Sequence, residues 1–173
     1  MDAALERDFE AYVRASGPRL KRLAYLLTGD LPTAEDLLQS AYARLLPRWR
    51  TVGRFDDPDA YVRRIMVNLR TSWWRRHRGL ESSVAAPAVP APGDLAHEQA
   101  ELDLLLQALR ALPARQRTAV VLRHYCDLSE AETARVMGIT VGGVKSQTSK
   151  GLAALRQALA PDGSSDAHEE ATR

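Results

Sequence analysis

The sequence predicts an all-α chain of two small helical domains joined by a flexible linker, the second domain ending in a helix-turn-helix. Three observations carry this expectation. Apolar residues recur at spacings of three and four in both halves, and nowhere alternate with period two long enough to make a strand. Residues 82–93 bring Pro87, Pro90, Pro92 and Gly93 together with small residues and no period, the composition of a solvated tether. Residues 128–159 carry two short helix patterns separated by Gly138, Ile139 and Thr140. The resulting division is 1–79, a linker at 80–100, 101–160, and a small, polar, acidic tail at 161–173 that reads as disordered.

In the first unit Phe9, Tyr12 and Val13, then Leu20, Leu23, Ala24 and Leu27, lie on one helical stripe, with Gly17 and Pro18 expected to interrupt or kink it. Thr28, Gly29 and Asp30 make a stop. Thr33 is the expected N-cap of a second helix carrying Ala34, Leu37, Leu38, Ala41 and Leu45 on its apolar face. Pro58 and Asp59 open a third, whose core row is expected to be Tyr61, Ile65, Leu69 and Trp73 at i+4 spacing. In the second unit Leu102, Leu105, Leu106 and Leu109 form a stripe, and Pro113 opens the following helix.

The helix-turn-helix is the most specific local pattern. Ser129 and Glu132 have the spacing of a capping box, Ala131, Ala134, Val136 and Met137 give an apolar face, and Gly138 supplies a left-handed stop. Ile139 reads as a buried pivot and Thr140 as the next cap. Along the second helix Val141, Val144, Thr148, Leu152, Leu155 and Leu159 line one side, while Lys145, Ser146, Ser149 and Lys150 gather on the other. A helix that packs by one stripe and presents short polar and cationic groups on the other suits the major groove of DNA. An ordinary helix pair with a solvated face would share the stripe, but not the capped glycine turn with a basic outer surface.

Charge adds to this. The net formal charge of +2 conceals two basic units, of +5 and +3, separated and followed by acidic segments of −3 each. Residues 61–79 hold Arg63, Arg64, Arg70, Arg75, Arg76 and Arg78 with no acid, together with Trp73 and Trp74. Neighbouring helical residues point about 100° apart, so only one of the two tryptophans can enter the core. Spacing assigns that place to Trp73 and leaves Trp74 to stack on a base or cover a groove. Cations interleaved with aromatics fit unstacked or single-stranded DNA. Asn68 among them is either a polar residue on a helix shoulder or a reader of an exposed base edge, and spacing does not choose.

These segments resemble bacterial RNA polymerase sigma factors of the extracytoplasmic-function group, the minimal kind that keeps only regions 2 and 4. Thr33 to Gln39 with Tyr42 and Trp49 is similar to region 2.2. Pro58 to Ile65, Asn68, Leu69, Arg75 and Arg76 are similar to regions 2.3 and 2.4. Leu112 to Arg117, Leu128 to Glu132 and Gly138 to Ser146 are similar to region 4. The wording around Leu26 to Asp30 and Val67 to Leu69 is similar to an actinobacterial subgroup, and the 21 arginines against 3 lysines fit a GC-rich genome.

The resemblance implies that Glu35, Asp36, Leu38 and Gln39, supported by Trp49, dock on the coiled coil of the polymerase's largest subunit. It implies that Asn68 and the loop 53–58 recognise an unstacked base of a −10-type element. Arg63, Arg64, Arg70, Arg75 and Arg76 would then hold the DNA backbone, with Trp73 and Trp74 near the point of melting. Thr140, Lys145, Ser146, Ser149 and Lys150 would read a −35-type element, while the apolar face of region 4 meets the flap of the second-largest subunit. Promoter DNA, core polymerase and a separate anti-sigma factor are the partners implied.

Three positions depart from the pattern: Gly143 replaces a side chain, loosening the helix start by roughly 1 kcal/mol, Gln147 replaces a common arginine, and Ser149 is small. No promoter sequence is therefore carried over. A conventional helix-turn-helix regulator has no use for the arginine and tryptophan helix, and a non-DNA-binding helical scaffold does not explain the capped turn. Scattered histidines, an isolated Cys126 and the lack of a phosphate loop argue against an enzyme, a cofactor or a metal site. No signal peptide or membrane span is evident, which predicts a cytoplasmic protein.

Overall fold

The structure is a computed structural model that describes residues 2–76 and 95–160, with side chains at 2–72 and 102–160. The described residues form helices and turns throughout. The first unit comprises α1 (Ala3–Thr28), α2 (Leu31–Leu45), a 3-10 turn (Leu46–Arg48), the short α3 (Trp49–Val52) and α4 (Pro58–Arg76). The second comprises α5 (Leu95–Ala111), α6 (Ala114–Val120), a π-helical turn (Val121–Tyr125), α7 (Glu130–Met137) and α8 (Val141–Ala158). The expectations for 80–94 and for the tail lie outside the described residues. Residues 95–100, expected to belong to the linker, instead begin α5. They follow the last breaker, Gly93, and are themselves compatible with a helix.

Local chemistry sets each boundary. Asp2 caps α1 by accepting from the Ala4 amide (3.2 Å), and Gly29, at φ 90°, ends it with its own amide donating to the Tyr25 carbonyl. Of the two outcomes expected at Gly17 and Pro18, interruption does not occur: α1 runs through Pro18 as one helix. Packing of its two halves against a common core outweighs the lost amide, and the Ala15 carbonyl accepts from the Arg19 guanidinium (2.8 Å). The cap of α2 is Asp30 rather than Thr33. Its carboxylate accepts from the Thr33 amide at 2.8 Å, so Thr33 is the capped residue.

In α4 the buried row is Val62, Met66, Val67 and Arg70, while Tyr61, Ile65 and Leu69 lie at its edge. The i+4 series of large apolar residues thus marked the rim of the core face, one position round from its centre. Whether Trp73 is buried lies outside the described side chains.

The main core joins Leu20, Leu23, Leu27, Leu37, Leu45, Trp49, Val62 and Met66 of the first unit to Val121 and Leu122 of the second. A smaller core packs Leu109, Leu112, Val120 and Leu155, and Leu26 of α1 contacts it. The units that the linker composition portrays as independent are therefore docked.

Arginines gather at the end of α1, one from its own unit and two across the interface. The α1 helix has no basic residue in its last turn to satisfy its terminal carbonyls. Arg70 of α4 donates to the Leu27 carbonyl (3.3 Å) and Arg117 of α6 to the Thr28 carbonyl (3.2 Å). Arg110 of α5 lies over the Tyr25 ring and bonds its hydroxyl. Cations from three other helices meet the negative end of the α1 dipole. Within the second unit Gly151 lets α8 approach α6, since a Cβ there would stand 2.7 Å from Val120 Cγ2.

A polar cluster ties α1 to α4. The Tyr12 hydroxyl donates to Asp59 Oδ1 (2.7 Å), and Arg19 forks onto the same carboxylate, at 3.1 Å through one nitrogen. Burial works to raise the Asp59 pKa, but the bonds from Arg19 and Tyr12 outweigh it and hold the carboxyl below its ordinary value. Burial, followed by the bond to Asp59, pushes the Tyr12 hydroxyl well up. A group with a depressed folded pKa stabilises fully above its unfolded value and loses that contribution as pH falls through the folded one. Stability should therefore fall with pH below about 4 in the native chain. Asp59→Asn should flatten that fall and, at neutral pH, lower stability by about 1–2 kcal/mol, because Arg19 remains half in water. Urea unfolding from pH 7 to pH 2 measures both, and an unchanged pH profile in the variant would remove Asp59 from the account.

Candidate nucleic-acid and polymerase interfaces

The helix-turn-helix forms as its residues require. Ser129 accepts from the Glu132 amide (3.2 Å), while Glu132 accepts from the Ser129 amide (2.8 Å), both halves of a capping box. The Ser129 hydroxyl, and then its amide, hold the Glu132 carboxyl below its ordinary pKa. Gly138 sits at φ 65°, and Thr140 caps α8 by accepting from the Gly143 amide (3.0 Å). Thr133 and Ala134 are the residues of α7 that are fully buried, whereas Ala131, expected on that face, is exposed. Ile139 is half-buried rather than a fully buried pivot.

Val144, Gly151 and Leu155 bury the inner face of α8. Lys145, Ser146, Ser149 and Lys150 are all exposed, as is Thr140, and Gln147 lies at the flank. Lys145 is 3.6 Å from Glu130, a surface pair of little strength that a phosphate can replace. The ends of the expected apolar stripe, Val141 and Leu159, face solvent.

On α2, Glu35, Asp36 and Gln39 are exposed, with Glu35 paired to Lys21 at 2.6 Å. Leu38 and Trp49, grouped with them from the sequence, are core residues. Trp49 is 3% exposed, its indole donating to Asp8 (2.9 Å) and its ring lying 4.6 Å from that of Tyr12. These two position the surface and do not form it.

Along α4 the expected cationic set separates. Arg64 is exposed, as is Asn68. Arg63 is bonded to Asp57 (2.7 Å), and its charge acts on Cys126 and Glu132 of the second unit. Arg70 is buried and donates to the Leu27 carbonyl at the end of α1, which leaves it little surface for a DNA backbone in this arrangement. The backbone of α4 continues through Trp73, Trp74, Arg75 and Arg76, whose side chains lie outside the described ones. Asn68 is ten residues from Pro58, about 15 Å along the helix axis.

The sequence reading missed Phe55, an exposed ring in that loop, edge-on to Tyr61. It also missed the exposure of Leu102, Leu104 and Leu105 on α5, having placed the first and last of these on one apolar stripe with Leu106 and Leu109. The signal was present in Leu104, a third leucine that widens the stripe beyond what one partner helix covers. Cys126 packs at the edge of the main core, and burial raises its thiol pKa. Among the described residues no cluster of three His, Cys, Asp or Glu could hold a metal, and no helix is long and apolar enough to cross a membrane.

A capped cationic helix, carried behind a left-handed glycine turn on an all-helical chain, defines a protein that reads DNA. The comparisons narrow the class. The family model "Sigma-70 region 2" matches residues 12–79 and "Sigma-70, region 4" matches 102–155. The RNA polymerase sigma-E factor of Streptomyces coelicolor is 44% identical over 153 residues, 88% of this chain and 86% of the relative. The extracytoplasmic-function (ECF) sigma factor SigE of Mycolicibacterium smegmatis is 33% identical, covering 96% of this chain and 67% of that one. The sigma factor RpoE of Bartonella quintana, solved with the anti-sigma factor NepR, superposes with a TM-score of 0.67 at 25% identity, covering 90% of this chain and 99% of that one.

The chain belongs to the sigma-70 family and is an RNA polymerase sigma factor of the extracytoplasmic-function group, directing transcription initiation at promoters.

Proposed function

We propose how the surfaces divide that work. The exposed Glu35, Asp36 and Gln39 of α2, set in place by Leu38 and Trp49, dock on the basic coiled coil of the polymerase's largest subunit. Asn68 reads one unstacked base of a −10-type element, and the loop before α4, with Phe55, stacks on another. Arg64 holds the adjoining backbone, with Arg75 and Arg76 further along the same helix and Trp73 and Trp74 beside the melted bases. Thr140, Lys145, Ser146, Ser149 and Lys150 read a −35-type element in the major groove. Leu102, Leu104 and Leu105 form the apolar face that meets the flap of the second-largest subunit.

One observation carries this division: the acidic face of α2 and the cationic face of α8 are exposed together, on different units of one chain. Polymerase on one face and duplex on the other need no shared surface. An anti-sigma factor is a further partner, supported by the solved complex of the Bartonella relative. The work takes place in the cytoplasm, with the polymerase.

Lys145→Ala with Lys150→Ala tests the α8 assignment in the assembled holoenzyme. If each lysine meets a phosphate, promoter affinity falls and the slope of log affinity against log salt shrinks by about 1.8, roughly 0.9 per contact. Unchanged affinity and slope would remove α8 from the interface.

A further inference from the structure

The loop that carries Phe55 has its shape before any DNA arrives. Its amides are directed inward: Gly53 donates to the Trp49 carbonyl (2.8 Å), Arg54 to that of Thr51 (3.3 Å) and Phe55 to that of Val52 (2.9 Å). The Phe55 ring is left exposed, edge-on to Tyr61. One foot of the loop stands on the Trp49 indole, where a Cβ added to Gly53 would lie 2.9 Å from Trp49 Cε2. The other foot is the first turn of α4. There Asp57 accepts from the Ala60 amide (3.1 Å) and Asp59 is buried.

Tyr12 of α1 touches both feet. Its ring lies 4.6 Å from the Trp49 ring, tilted by 32°, and its hydroxyl donates to Asp59 Oδ1 at 2.7 Å. Asp8 holds Trp49 through the indole N–H (2.9 Å), and Arg19 holds Asp59. Asp8 and Arg19 each reach one foot, whereas Tyr12 spans the pair. A rigid ring joined to both feet fixes their spacing, and with it the place of the Phe55 ring. A receiving group held in advance lowers the ordering cost of binding. We propose that Tyr12 is a positioning residue for recognition of the −10-type element: it holds the loop 53–57 in the shape that receives an unstacked base on Phe55. Its role in recognition rests on the loop's engagement of a base, as proposed above.

Tyr12→Phe in the assembled holoenzyme tests this, because phenylalanine keeps the ring on Trp49 and removes the bond to Asp59. Opening is followed with a fluorescent reporter base in the melted segment of a promoter at which the protein directs initiation. Tyr12→Phe should slow opening by about three- to tenfold, the range for one lost hydrogen bond, with polymerase binding retained. Phe55→Ala should slow it too. Combined with Tyr12→Phe, it should slow opening by less than the product of the two single effects, because both act through one ring. Tyr42→Phe removes a neighbouring bond, between Tyr42 and Ser16 (2.9 Å), that reaches neither foot, and should leave opening normal. If Tyr12→Phe loses helical circular dichroism, Gly53→Ala replaces it. At φ −62° alanine is not strained there, but its Cβ pushes the loop off the indole, so slower opening is again expected. Normal opening with Tyr12→Phe, or with Gly53→Ala in its place, beside slow opening with Phe55→Ala overturns the role of Tyr12 alone. Equal slowing by Tyr42→Phe, or effects of Tyr12 and Phe55 that simply multiply, also overturns it, since Tyr12 would then act on general stability. Normal opening with Phe55→Ala removes the loop from base recognition and the role of Tyr12 with it.

Discussion

Asn68→Ala slows promoter opening by roughly 10- to 100-fold, the factor given by loss of one base-edge contact of about 1–3 kcal/mol, while polymerase binding is retained. The side chain is exposed on α4, beside the buried Val67 and two positions before the buried Arg70, so its place is fixed by packed neighbours. An amide offers a donor and an acceptor on one rigid plane, which alanine lacks. Alanine is also the better helix former, so stability should hold or rise slightly. Fluorescence of a reporter base within the melted segment measures opening, and co-sedimentation with core polymerase measures binding. Normal opening with lost polymerase affinity would move Asn68 to the docking surface.

Leu122→Ala lowers unfolding stability by about 3–4 kcal/mol, within the range for a fully buried leucine left as a cavity. Leu122 has no exposed surface, and although it belongs to the second unit it is buried in the core of the first. Its loss should reduce docking as well as stability, so small-angle scattering should show a larger radius of gyration under native conditions. By contrast Leu104→Ala, on an exposed face, should shift stability by less than about 0.5 kcal/mol. A Leu122 effect as small as that would show that the shared core contributes nothing.

The sequence was most legible where a backbone need has one chemical answer. The Ser129 and Glu132 box, Gly138 at positive φ, Thr140 as a cap and Gly29 as a stop are each set by local hydrogen bonding, which a short stretch of residues fully specifies. The exposure of Lys145, Ser146, Ser149 and Lys150 followed from the helical period. Legibility failed where tertiary partners decide. Arg70 has the sequence of a surface cation, yet it is buried because the end of α1, over forty residues away, needs a donor. Leu38 was grouped with the exposed polar residues of α2, yet it is buried in the core, as is Trp49. The docking of the two units was invisible because its apolar contribution, Val121 and Leu122, lies in a π-helical turn with no simple period. Its polar contribution comes from Arg110 and Arg117, indistinguishable in sequence from the cations expected to meet DNA.

In-vitro transcription on fragmented genomic DNA from a GC-rich actinobacterium tests the central claim most directly. Core polymerase is assayed alone, with the protein, and with its Asn68→Ala form. Start sites should appear only with the protein, share two spaced upstream elements, and weaken with the alanine form. No new starts, together with sequence-specific duplex binding by the protein without polymerase, would contradict it.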